Sequence, residues 1–253
     1  MDSYLIGFVL ILIGFSVLER VFPWQKQERS AKHIGLDIAY QFLNYKPFAL
    51  VAHVVVLFFY QSLVSIDLPE LSWIRFLKEN FWISFICYLF IFDFFEYWVH
   101  QALHRVPFLW KFHKVHHSID KMDCLGNMHF HPIEMIVYKG FTYIPHLLII
   151  PLIPENMLLT FVMVRVFIGT FAHSNLNVNI GILSYIINNP RVHIWHHAND
   201  ERAVNKNCGV TFTLWDFIFG TAFFPKSEPY PKKGLGFEGS KDFQSLKKQV
   251  YPL

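Results

Sequence analysis

The chain has 253 residues, 53% of them hydrophobic and only 16% charged, with a formal net charge of +3. This balance exceeds a soluble domain's usual apolar share, falls well below its usual charge, and points to an all-helical membrane protein. No basic run marks a nucleic-acid surface. Cys87, Cys124 and Cys208 lie too far apart for a disulfide framework or an iron–sulfur cluster.

In chain order, a first apolar run covers 3–18 and ends at Glu19-Arg20. It is close to the length of a bilayer crossing and lacks the charged start and small-residue end of a cleaved signal, so it reads as a retained anchor. A second span is expected near 34–64, interrupted by Lys46, and a third at 81–103. The region 135–172 is longer than one span and is cut by PLIPEN at 151–156, which predicts a helical hairpin that crosses or dips into the membrane. The expected architecture is all-α, a membrane bundle of about four to five helices. Lys and Arg cluster in 20–33, in 104–134 and after 173, whereas 65–80 carries only Arg75 and Lys78. Positive residues favour the cytoplasmic side, so a cytosolic helical cap is expected to carry the histidine-rich segments. The chain reads as one domain, with anchor helices in 1–92, a histidine-rich region in 93–224 and a tail in 225–253.

Histidine patterning is the strongest signal. KFHKVHHSID places His113, His116 and His117 together, and VHIWHHAND repeats the spacing with His193, His196 and His197. Offsets of three and four return to one helical face, so each triplet is expected to present three imidazoles to a common point. Pro107 and Asn189-Pro190 mark the helix starts. In the third span Asp93, Glu96, His100 and His104 share one stripe. Acidic residues this deep in an apolar span are costly; they are read as acceptors orienting metal-bound imidazoles, the alternative being a polar helix contact. His173 ends the fourth region, and Asn177 follows one turn later. Nine histidines exceed the four ligands of a tetrahedral zinc and suit two metals of higher coordination number. Imidazole alone does not name the metal. Two redox-active irons beside a membrane pocket would activate dioxygen towards an unreactive lipid C–H bond, with ligands that resist oxidation.

At these residues the chain resembles the fatty acid hydroxylase/sterol desaturase superfamily of integral-membrane di-iron oxygenases. The matching text is DFFEYWVHQALH, LWKFHKVHHS, FHPIE, AHSN, NPRVHIWHH and NKNCGVTFTLWDFIFGTAF, from about Asp93 to Phe224. The resemblance implies His100, His104, His113, His116, His117, His173, His193, His196 and His197 as ligands of two iron ions. It also implies O2 as co-substrate, a lipid substrate that is hydroxylated or desaturated, and electrons from a separate donor, a reductase with a ferredoxin or b-type cytochrome. Asn207, Gly209, Trp215 and Asp216 match the segment after the last box and are expected to pack beneath the site. Where some relatives carry a further histidine, this chain has Asn177, so the tenth ligand is Asn177, a water or nothing. His131 is expected to support the ligands and His129 to be supporting or structural, while His33, His53 and His146 read as ordinary.

Two other classes compete. A zinc-dependent membrane hydrolase would need one metal, and the chain has no HExxH. A haem protein or metal carrier would need fewer histidines, or ligands strung along a path through the spans. The expected location is a bacterial inner membrane or the endoplasmic reticulum, with the boxes on the cytoplasmic face.

Overall fold

The computed structural model describes residues 3–28, 30–45, 71–149, 157–244 and 246–252. Among these the chain is helical, and isolated bridges such as Pro23 with Leu176 and Ile187 with Phe212 are its nearest approach to β-structure. The helices are α1 (Ser3–Val21), α2 (Ala31–Tyr45), α3 (Ser72–Glu79), α4 (Phe81–Arg105), α5 (Pro107–His113), α6 (Pro132–Ile149), α7 (Met157–His173), α8 (Pro190–His196), α9 (Leu214–Ile218) and α10 (Leu246–Val250). Two of them, α1 and α4, are long and apolar enough to cross a membrane, and α7 is a shorter apolar helix. The expected second span is seen only as far as α2, and its remainder lies outside the described residues, as do 150–156, His53 and the side chain of His146.

Helix α4 organises the bundle because its buried stripe changes character along its length. Phe85, Tyr88, Leu89 and Phe92 recur at helical spacing and pack on Met157 and Phe161 of α7. Tyr88 and Phe92 meet the Phe161 ring at 4.6 and 5.1 Å in edge-on geometry, each pair contributing roughly 0.5–1.5 kcal/mol beyond burial. The same stripe then turns polar, with Asp93, Glu96, His100 and Gln101 all buried. The opposite face leaves Trp82, Ile83, Ile86, Ile91, Phe95 and Trp98 exposed, as suits contact with lipid. The helix stops at Arg105 because the residue before proline disfavours α geometry, and Pro107 opens α5 at its first turn.

Glu19, at the end of the first apolar run, ties the histidine-bearing end of the molecule together. Its Oε1 accepts from the backbone N–H groups of Cys124 and Asn175, at 2.8 and 2.7 Å. This fixes the end of α1 against the 124–128 turn and against the exit of α7. Helix α2 departs from a simple apolar span. Buried Gln41 and Asn44 donate to the carbonyls of Leu125, Met128 and Phe130, while Asp37 pairs with His129.

Candidate metal centre

The nine histidines expected as ligands come together, but not triplet by triplet. His100, His104, His113, His117 and His196 form one group, and His116, His173, His193 and His197 form another. Within each group the offered nitrogens all lie within 4.8 Å of one another. The expectation that each triplet converges on one point is therefore corrected: both triplets are split between the groups. The cause is local geometry. Helix α5 ends at His113, and His116 and His117 continue in a tighter turn at 116–118. In both triplets the i, i+4 pair stays together, His113 with His117 and His193 with His197, while the third histidine, ~100° of helical rotation from its neighbour, joins the other group. The groups share a wall, with the His117 and His197 rings stacked at 4.3 Å.

The ring nitrogens approach closely. Nε2 of His104 lies 3.0 Å from that of His113 and 3.2 Å from that of His196. In the other group Nε2 of His193 lies 3.0 Å from that of His173 and 3.1 Å from that of His197, and His173 lies 3.3 Å from His116. Ligands at ~2.1 Å from one ion stand ~3.0 Å apart at right angles and ~3.4 Å apart in a tetrahedron, so the spacing fits a shared cation.

Hydrogen bonding on the far side of the rings sharpens this. Nδ1–H of His100 donates to the Cys208 carbonyl, that of His196 to the Lys206 carbonyl and that of His173 to the Gly169 carbonyl, each at 2.8 Å. His113 Nδ1 lies 2.6 Å from Glu134 Oε1. A carbonyl only accepts, so these three partners hold the proton on Nδ1 of His100, His173 and His196 and leave a bare lone pair on each Nε2. His104, facing both His113 and His196, has at most one proton to offer them. Lone pairs facing one another at 3 Å repel unless a cation lies between. Burial also pushes the imidazoles of His113, His116, His117, His193, His196 and His197 well below their ordinary value of 6.5, so they are neutral at pH 7 and ready to ligate. Buried Cys208 is held as a thiol and offers no thiolate.

The 205–213 loop is built to aim the Lys206 and Cys208 carbonyls. Asn205 and Asn207 take left-handed backbone, which asparagine tolerates. Asn207 donates to the Val192 and Phe223 carbonyls and accepts from Phe223 N–H. Asp216 accepts from the N–H groups of Cys208 and Gly209, both at 2.8 Å, and from the Thr221 hydroxyl. A Cβ on Gly209 would lie 2.3 Å from the Phe212 carbonyl oxygen. Gly209→Ala is therefore expected to cost about 1–3 kcal/mol and to turn the Cys208 carbonyl away from His100, read as a lower melting temperature together with weaker metal retention.

Other expected residues lie elsewhere. The Asp93 carboxylate touches no imidazole; it accepts from Thr211 N–H, Phe212 N–H and Trp215 Nε1–H at 2.7, 3.0 and 3.0 Å and pairs with Arg165 of α7. Glu96 pairs with Arg165 and accepts from Tyr138. The polar helix contact is thus the reading the structure favours, because a buried guanidinium outcompetes neutral rings for carboxylates. His131 belongs to neither group: its Nδ1 accepts from Ile133 N–H at the start of α6, and Nε2 lies 3.3 Å from the Val250 carbonyl. Asn177 is exposed and accepts from Arg191.

The carboxylate that does reach an imidazole of the two groups is Glu134, which sequence reasoning passed over although it ends the FHPIE match. It lies 21 residues from His113, and no periodicity links the two. Glu134→Gln is expected to weaken metal binding by about 10–100-fold, while Glu96→Gln leaves it unchanged, as metal titration of the two variants would read.

Against known proteins, the description "Fatty acid hydroxylase" matches residues 85–221, more than half of the chain. The chain belongs to the fatty acid hydroxylase family. The matched stretch contains every one of the nine histidines. Among curated fatty acid hydroxylase relatives, the ornithine lipid hydroxylase of Rhizobium tropici is 27% identical over 255 residues, covering 96% of this chain and 75% of that protein. Human alkylglycerol monooxygenase is 31% identical over 129 residues, and human lathosterol oxidase 30% over 145. They are covered at 51% and 57% of this chain, which spans only 28% and 46% of their lengths. No solved structure matches the chain.

Proposed function

We propose that this protein is a membrane-bound lipid oxygenase that hydroxylates or desaturates a C–H bond at a di-iron centre held by the nine histidines. The observation that carries the reading is the convergence of nine imidazoles as five and four, with facing nitrogens 3.0–3.3 Å apart. Bound there, two iron ions would supply the activation of dioxygen. Hydroxylation places one oxygen atom in the C–O bond and releases the other as water, consuming two electrons and two protons. Those electrons would come from a separate donor protein. The relatives named above are a hydroxylase, a monooxygenase and an oxidase of lipids, which supports a lipid substrate.

The chain's own residues do the positioning. His100, His173 and His196 are locked by backbone carbonyls and His113 by Glu134, so four ligands are oriented before metal arrives. Burial of the rings excludes water that would quench the oxidant. Residues 93–224 form the catalytic region within a single multi-pass domain. The histidines face the cytoplasm of a bacterial inner membrane or the endoplasmic reticulum, in line with the positive charge of the flanking loops.

Metal content per chain on detergent-purified protein from iron-supplied cells, with Mössbauer spectroscopy, tests the centre. About two coupled irons are expected; one zinc, a haem or no metal would refute it. Comparison of membrane lipids with and without the gene then reads the substrate. The pH dependence follows from the lowered imidazoles. Unfolded histidines take up protons below their ordinary 6.5 while the buried rings do not, so the stability they contribute is complete above ~6.5 and is lost as pH falls below it. Melting temperature is expected to hold between pH 8 and 7 and to fall steadily towards pH 5, with metal released over the same range.

A further inference from the structure

An apolar surface lies outside the metal centre. The turn Gly181–Tyr185 and the residue after it expose Ile182 (79%), Leu183, Tyr185 and Ile186, and α9 with its following residue exposes Phe217, Ile218 (57%) and Phe219. The two segments are one unit. Asn188 N–H donates to the Thr211 carbonyl at 2.9 Å, the Thr213 hydroxyl to the Ser184 carbonyl at 2.9 Å, and the Tyr185 and Phe217 rings meet at 5.1 Å. Patches of this kind are rarely left to water.

The depth of this unit is set by α4. Trp215 packs on Phe90 at 4.7 Å and on Phe94 at 5.2 Å, and Phe219 packs on Trp98 at 4.9 Å. At ~1.5 Å per residue Phe90 lies ~14 Å from the start of α4, near the mid-plane of a ~30 Å hydrocarbon core, and Trp98 lies ~12 Å further on. A bilayer that surrounds α4 therefore reaches α9 as well. Beside the patch is a cavity of about 330 Å³, lined by Arg191, Lys226, Asn179, Ser184 and Tyr185 with no carboxylate among its lining residues. Two cations at the rim of an apolar face suit an anionic surface.

We infer that the 181–186 turn and α9 form a membrane-insertion face, immersed in the leaflet through which α4 leaves the bilayer, with Arg191 and Lys226 seated on the phosphate or carboxylate of anionic lipid headgroups. This rests on α4 crossing the bilayer. It gives the 181–186 turn and α9 a role of their own, seating this part of the molecule at the level where lipids lie.

Spin labels at Ile182→Cys and Ile218→Cys, in a Cys87→Ser background reconstituted in liposomes, test the insertion. Collision with dissolved oxygen should exceed collision with a water-soluble nickel chelate at both positions, and at Ile86→Cys on α4, with the reverse at Glu201→Cys. A water-like signal at 182 and 218 with a lipid-like signal at 86 overturns the inference and leaves the membrane reading of α4 standing. A water-like signal at 86 overturns both. For the headgroup contact, Lys226→Glu is expected to reduce phosphatidylglycerol retained through purification at least threefold relative to phosphatidylcholine, measured by native mass spectrometry. An unchanged ratio overturns that assignment.

Discussion

Replacing His173 by alanine is expected to reduce bound iron from about two ions per chain to about one and to lower lipid oxidation by more than about 100-fold. The Nε2 of His173 lies between those of His193 and His116, at 3.0 and 3.3 Å, so its loss opens one group at its centre. The other group keeps all five of its imidazoles. His113→Ala should produce the mirror result, and the double variant should bind almost no iron. Iron per chain, read on protein that remains monodisperse and helical, decides between the outcomes. If either single variant empties both sites, the groups act as one indivisible centre and the five-plus-four partition is wrong.

Asp93→Ala is expected to destabilise the protein by about 3–5 kcal/mol, the range for removing one partner of a buried ion pair. Asp93 is fully buried and takes hydrogen bonds from two backbone N–H groups and an indole, in addition to its contact with Arg165. Alanine leaves all four donors facing a vacancy and a largely buried guanidinium with only Glu96 to balance it. Adding Arg165→Met should recover part of the loss, because the uncompensated charge goes while the orphaned N–H groups remain. Thermal unfolding in detergent reads both effects. Normal stability with loss of iron would instead return Asp93 to the role the sequence suggested, support of the imidazoles.

The two experiments touch different layers of what could be read in the chain. The nine histidines stand out in the sequence because imidazole clusters at offsets of three and four are rare and chemically pointed, and the apolar runs of α1 and α4 are legible because each is continuous over the length a bilayer crossing needs. The helix starts at Pro107 and Asn189-Pro190 are equally local, since proline and a capping side chain act within one turn. Those are properties of neighbours along the chain.

Which histidine belongs to which group is not such a property. In each triplet the i, i+4 pair stays in one group and the middle histidine joins the other, a division that depends on which elements pack on either side. The partners of the carboxylates were misread for a similar reason. Asp93 and Glu96 share a stripe with His100 and His104, yet their charge is met by Arg165, 72 residues from Asp93. Glu134 reaches His113 across a gap that no repeat predicts. The sequence by itself determined the apolar helices and the nine clustered histidines; the tertiary structure alone decided how those histidines are grouped and which charges hold them, because electrostatic and hydrogen-bond partners are chosen by proximity in space, where a buried charge takes the strongest partner within reach.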